Sequence, residues 1–222
     1  SALDPSPVLM TRILLLLGAL SFGLLWSPLL AHAQTKSWSG GGDGTSWSDP
    51  DNWSPTGVPT ASDEVAIAVA PGSAYTVVVT QARTVTDLDL TSREATLQLD
   101  AALTVADELY LYGSRVDGPG SLTAQGLLTW QGGTMAGTGT TTAGGGLSVT
   151  GGPGSSGNTK VLDGRRLVLP SGQTGDHSGG LFYGRNGAVL EIAEDAIYEF
   201  TTGNNNFGFQ IASGSTAPPR IE

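Results

Sequence analysis

From Val65 onward, apolar and polar residues alternate in short runs, and no window after Gln34 carries the three-to-four-residue apolar spacing of an amphipathic helix. Val65, Ile67 and Val69 open the series. Val77 and Val79, Leu88 and Leu90, Leu97 and Leu99, Leu103 and Val105, and Leu109 and Leu111 continue it. Then come Leu122 and Ala124, Leu128 and Trp130, Leu147 and Val149, Leu167 and Leu169, Leu190 and Ile192, and finally Phe207, Phe209 and Ile211. Each pair supplies two inward side chains of one short strand, because side chains alternate between the faces of a β-strand. Turn residues punctuate the runs, as at Asp117-Gly118-Pro119-Gly120, Gly144-Gly145-Gly146 and Arg185-Asn186-Gly187.

Two all-β architectures share this pattern. An antiparallel β-sandwich uses strands of about five or six residues joined by hairpins. A parallel β-solenoid uses shorter strands, about three to a coil of roughly twenty residues. Thr96-Leu97-Gln98-Leu99 and Leu103-Thr104-Val105 leave little length for a sandwich strand and its hairpin. The spacing therefore predicts a right-handed parallel β-helix from about Val65 to Ile211, within a repeat region of residues 65–222. Leu97, Leu99, Leu109, Leu111, Leu167, Leu169, Leu190 and Ile192 point inward; the antiparallel β-sandwich is the alternative. Roughly eight coils at about 4.8 Å each would make a rod about 40 Å long.

The head of the chain has a different character. Met10-Thr11-Arg12 is a short positive start, Ile13 to Leu30 is mostly apolar, and Ala31-His32-Ala33 is a small-x-small cleavage site. Residues 10–33 are read as a signal peptide. A membrane-spanning helix competes with that reading, but Pro28 and the cleavage site end the apolar stretch and no Lys/Arg cluster follows. Residues 1–9 precede Met10 and are read as upstream read-through or a fragment boundary. Residues 34–64 hold three of the five tryptophans and are read as a Trp/Gly-rich N-terminal cap.

Charge narrows the partners. The chain carries a formal net charge of −10, with only 14% charged residues, 33 glycines and no cysteine. An acidic surface argues against nucleic acid, which needs a basic footprint, and against adhesion to anionic lipid. It suits solubility outside the cell.

Several side chains invite a chemical reading. Trp38, Trp47 and Trp53 could stack on sugar rings, but their place at a solenoid end favours a lid over the first coil, whose edge and interior otherwise meet water. Asp43, Asp49 and Asp51 could bind calcium; turn chemistry around Pro50 and Asn52 is the preferred reading. Asp176-His177-Ser178 holds the residue types of a hydrolase triad, yet consecutive residues cannot converge on one another as a triad requires. His177 is read as solvated in a loop over 175–180. Arg115 with Asp117, and Asp163 with Arg165, are read as surface ion pairs worth under about 1 kcal/mol each. Asn52-Trp53-Ser54 is formally a glycosylation sequon, followed by Pro55. No residue is assigned as catalytic, cofactor-binding or metal-binding.

The opening carries Trp38, Gly40, Gly41, Asp43, Gly44, Ser46, Trp47, Asp49, Asn52, Trp53, Gly57 and Pro59, then Asp63, Val65 and Ile67. This motif resembles the start of autotransporter-type and sorting-signal-bearing bacterial surface proteins, whose passenger regions are right-handed parallel β-helices. The resemblance implies an exported, extracellular or cell-surface structural or adhesive protein, in a class that also holds occasional enzymes; because the residues form no catalytic constellation, neither catalytic activity nor a cofactor is expected. Its partners would be surface glycans or host and neighbour cell surfaces, with no membrane insertion of the mature chain. A β-helical polysaccharide-acting enzyme and a carbohydrate-binding module are the alternatives. Toward the end, Phe207-Gly208-Phe209-Gln210-Ile211 is followed by no polar cap. The expectation is an open edge that further coils of a longer chain would cover and that otherwise self-associates.

Overall fold

The structure is a computed structural model and describes residues 33–151, 159–201, 208–211 and 220–222. Residues 1–9, residues 10–32 of the segment read as a signal peptide, and Phe207 lie outside the described residues, as do the side chains of Phe209 and Ile211.

Among the described residues, twenty-one strands follow one another. They are β1 (Thr35–Trp38), β2 (Trp53–Ser54), β3 (Glu64–Ile67), β4 (Tyr75–Val79), β5 (Arg83–Val85), β6 (Asp87–Leu90) and β7 (Ala95–Leu99). Next come β8 (Leu103–Val105), β9 (Leu109–Asp117), β10 (Leu122–Ala124), β11 (Leu128–Ala136), β12 (Thr140–Ala143), β13 (Leu147–Val149) and β14 (Lys160–Asp163). The last are β15 (Arg166–Leu169), β16 (Thr174–His177), β17 (Leu181–Arg185), β18 (Val189–Ile192), β19 (Ile197–Phe200), β20 (Gly208–Ile211) and β21 (Arg220–Ile221). A single-turn 3-10 helix spans Pro50–Asn52.

Nearly all pairings are parallel and stack strands one coil apart. One track runs through β1, β3, β6, β9, β11, β13, β16 and β19. A second runs through β4, β7, the later halves of β9 and β11, β14, β17 and β20. A third runs through β5, β8, β10, β12, β15, β18 and β21. The chain is thus a β-solenoid of about six turns, and the sandwich alternative is excluded. The turn count falls below the eight expected because coils differ in length. Leu109, Leu128 and Leu147 stack directly, whereas the step from Leu147 to Gly175 takes in the long connection through 151–159.

β9 and β11 each round a corner without a break, and glycine allows it. Gly113 and Gly133 have φ of +97° and +95°, the left-handed region. A Cβ on Gly133 would lie 2.3 Å from the Ser114 carbonyl oxygen of the coil before.

The interior consists of ladders of stacked side chains. Ile67, Leu90, Leu111, Trp130, Val149 and His177 form one, in register from coil to coil. Val77, Leu97, Val116, Met135 and Leu162 form another. Burying each of these apolar groups is worth about 1.5–3 kcal/mol. The predicted inward residues Leu97, Leu99, Leu109, Leu111, Leu167, Leu169 and Leu190 are all buried. Ile192 is inward too, in register on Leu169 and half-buried against the core. One expectation needs correction. Val69 lies past the end of β3, outside the alternation, and is 37% exposed.

Candidate functional site

The N-terminal tryptophans close the first coil. Trp38, Trp47 and Trp53 are no more than 4% exposed. Trp53 stacks edge-on against Trp38 and Trp47, with ring centroids 5.0 and 4.8 Å apart, and its Nε1 donates to the Trp47 carbonyl at 2.8 Å. Buried indole faces offer no platform to a sugar.

The loop between them is tied by side chains. Asn52 is buried; its Oδ1 accepts from the amides of Gly42 and Gly44 at 3.0 and 2.9 Å. Its Nδ2 donates to Asp43 Oδ1 and to the Ser46 carbonyl, which engages the atom a glycan would occupy. Asp43 also accepts from the amides of Ser46 and Thr45, and these bonds hold its carboxyl below the usual range. Asp49 accepts from the amides of Asp43 and Asp51 and caps the 3-10 helix. Asp43 and Asp49 are therefore occupied by turn chemistry. Among the described residues, no group of three or more His, Asp or Glu is placed to hold a metal ion.

His177 corrects the loop expectation. It ends β16, takes a ladder position between Val149 and Phe200, and is 1% exposed. Nε2 lies 2.8 Å from the Gly180 carbonyl and so carries the proton; Nδ1 then accepts from Tyr198 Oη at 3.2 Å. Asp176 faces the other way and accepts from Thr201 Oγ1. Strand alternation separates the two, and no triad forms. Burial lowers the His177 pKa, opposed by its bond to the Gly180 carbonyl and assisted by the charge of Lys160. The sign of the effect follows. Below about pH 6.5 the unfolded imidazole takes a proton that the folded one resists, so stability falls on acidification. We expect the gap in melting temperature between the native chain and His177→Leu to shrink steadily from pH 7.5 to 5. A gap independent of pH would contradict the neutral buried imidazole.

The ion pairs divide. Arg115 and Asp117 pair at 2.6 Å on a half-exposed strand face, as expected. Asp163 does not pair with Arg165. It binds Arg185 at 2.9 Å, because parallel register sets Arg185 beside it one coil later. Arg165 is fully buried and turns inward at a corner. It donates to the carbonyls of Gly118, Gly120, Ala136 and Thr140 and to Thr141 Oγ1, at 2.7–3.2 Å. Burial pulls its pKa down to about 10, against the opposing charge of Asp117. Lys160 is buried as well, donates to the carbonyls of Thr150 and Gly179, and is pulled down by burial to about 8.

One surface leaves no mark in the sequence pattern. On the outer face of the first track, Glu64, Asp87, Asp89 and Glu108 line a groove of about 270 Å³ with Thr35. Register makes it: Glu64 stacks on Asp87, Ala66 on Asp89, and Asp89 on Tyr110. Thr35 Oγ1 donates to Glu64 at 2.9 Å, and the Glu108 amide donates to Asp87 at 2.8 Å. Burial raises the Asp89 pKa, and the charges of Glu108, Asp87 and Glu64 raise it further. A carboxyl whose pKa is raised by burial and by neighbouring acidic groups is suited to general acid catalysis.

Against protein-family models, curated proteins and solved structures, the chain gives no match.

Proposed function

We propose that this chain is a structural or adhesive β-solenoid, exported to the extracellular space or the cell surface and working without catalysis. One observation carries the reading: Asp43, Asp49, Asn52, His177, Lys160 and Arg165, the side chains most able to do chemistry, are engaged in holding turns and coils. The signal segment and the Trp/Gly opening support export and the likeness to autotransporter-type bacterial surface proteins. The acidic surface supports glycans or cell surfaces as partners, and not nucleic acid. Glycan-array and cell-binding measurements on the purified chain test it. Retention on glycans or cells with no bond cleavage is the expected result.

The acidic groove favours a second reading, a polysaccharide-acting enzyme in which Asp89 protonates a leaving oxygen and one of Glu64, Asp87 or Glu108 stabilises the developing charge or activates water. Asp89→Asn separates the two. On the structural reading it relieves like-charge repulsion, so the melting temperature at pH 7 rises and binding is unchanged. On the enzymatic reading, release of sugar fragments from polysaccharide is measurable in the native chain and falls about 100-fold or more in the variant.

A further inference from the structure

The three tracks start differently. On the first, β2 pairs antiparallel along the edge of β1. On the second, the cap takes the edge of β4: the Val78 amide donates to the Thr45 carbonyl at 2.9 Å, and the Trp47 amide donates to the Val78 carbonyl at 3.0 Å. On the third, β5 pairs with β8 alone among the described residues. Parallel register turns the backbone groups of Arg83 and Val85 toward β8. The Arg83 amide donates to the Ala102 carbonyl at 3.0 Å, and the Val85 carbonyl accepts from the Ala106 amide at 2.9 Å. The amide and carbonyl of Thr84 therefore face away from β8.

The chain passes that edge without pairing to it. Counting back from the Glu64–Asp87 pair sets Ala61 opposite Thr84. A strand there would continue the third track. Instead the segment turns: Asp63 accepts from the Thr60 amide and hydroxyl at 2.8 and 2.7 Å, and Pro59 has no amide to offer. Contact resumes only where the Thr86 amide donates to the Asp63 carbonyl at 2.8 Å. Between the two walls, residues 58–61 and residues 82–84, lies a groove of about 450 Å³. That is on the scale of ligand pockets, about 300–1,000 Å³.

One cation stands in the groove. Arg83 heads the inward ladder of Leu103, Leu122, Thr141 and Leu167, a row otherwise free of charge. Its Nη2 donates to Ser48 Oγ at 2.7 Å and to Gln81 Oε1 at 3.3 Å, while its Nε is buried and has no acceptor. Arg115, Arg166, Arg185 and Arg220 each meet a carboxylate; Arg83 meets none among the described residues. In a chain of net charge −10, an unpaired guanidinium beside open strand groups selects for a negative charge carried on an extended backbone.

We propose that this groove takes an extended peptide segment of another protein, added as a strand along β5, with an Asp or Glu set against Arg83. The amide and carbonyl of Thr84 supply backbone pairing, as in other strand additions. A residue in register with Arg83 puts its side chain on the same face of the sheet, which brings its carboxylate to the guanidinium. The inference stands apart from the functional reading, since it uses only the β5 edge and its groove.

The test is an amide-shift titration of the full, ¹⁵N-labelled chain at pH 7 with acetyl-Thr-Val-Glu-Val-Thr-amide. Saturating shifts at Ala61, Arg83 and Thr84 are expected, with a Kd below about 1 mM. Glutamine in place of the peptide's glutamate should weaken binding about 10-fold, and Arg83→Gln should abolish the difference between the two peptides. Thr84→Pro removes an amide that faces the groove and leaves the bonds to β8 in place, as proline on a free strand edge allows. Its melting temperature should stay near native while peptide binding falls about 10-fold or more. The proposal is overturned if no saturating shift appears by about 10 mM, or if the two peptides bind the native chain alike. It is overturned equally if the Thr84 amide resists exchange in the chain alone, or if a uronic-acid oligosaccharide shifts these amides and the peptide does not.

Discussion

Leu109→Asp should leave the chain without a cooperative unfolding transition. Leu109 is 1% exposed and stacks between Leu88 and Leu128, in the middle of the first track. The substitution forfeits about 1.5–3 kcal/mol of apolar burial and sets an unpaired carboxylate in the interior, at a further cost of several kcal/mol. A typical domain has only about 5–15 kcal/mol in total. In a solenoid each coil is stabilised by its neighbours, so a central coil that cannot stack deprives the coils on both sides. Thr104→Asp on the outer face of β8 is the control and should change stability by less than about 0.5 kcal/mol. Circular dichroism and a denaturant melt decide it. A Leu109→Asp chain that melts like the control would sink the solenoid core as described.

Arg165→Leu should cost roughly 3–5 kcal/mol in a urea titration. The leucine fills part of the volume but withdraws the guanidinium donors from four carbonyls and the Thr141 hydroxyl, of which the Gly118 carbonyl keeps the Gly139 amide. Losing a buried cation offsets some of that, which is why the figure is below the sum of five bonds. Arg165→Lys keeps the charge but cannot reach acceptors spread over two coils, so it should fall between. A loss under about 0.5 kcal/mol for leucine would mean that the desolvation of the guanidinium cancels its bonds.

The apolar strand pairs were legible because period-two alternation survives in strands of three residues, as in Leu103-Thr104-Val105. The tryptophan lid was legible from its position. His177 was not, because its inward partner in β16 is Gly175 and the segment therefore shows no apolar alternation. Arg165 was not, because a charged residue beside Asp163 reads as a surface pair until register reveals Arg185 as the nearer partner. The acidic groove depends on which residues of successive coils become neighbours. Coil length sets that, and it varies along this chain.

The direction of the inter-strand hydrogen bonds also governs how the rod carries tension. They run along its axis, so pulling on the two ends loads them lengthwise. Across the middle of the rod, strands on three tracks share that load and must rupture together. Under force the central coils should therefore hold together as a mechanically rigid shaft that yields as a unit and not strand by strand.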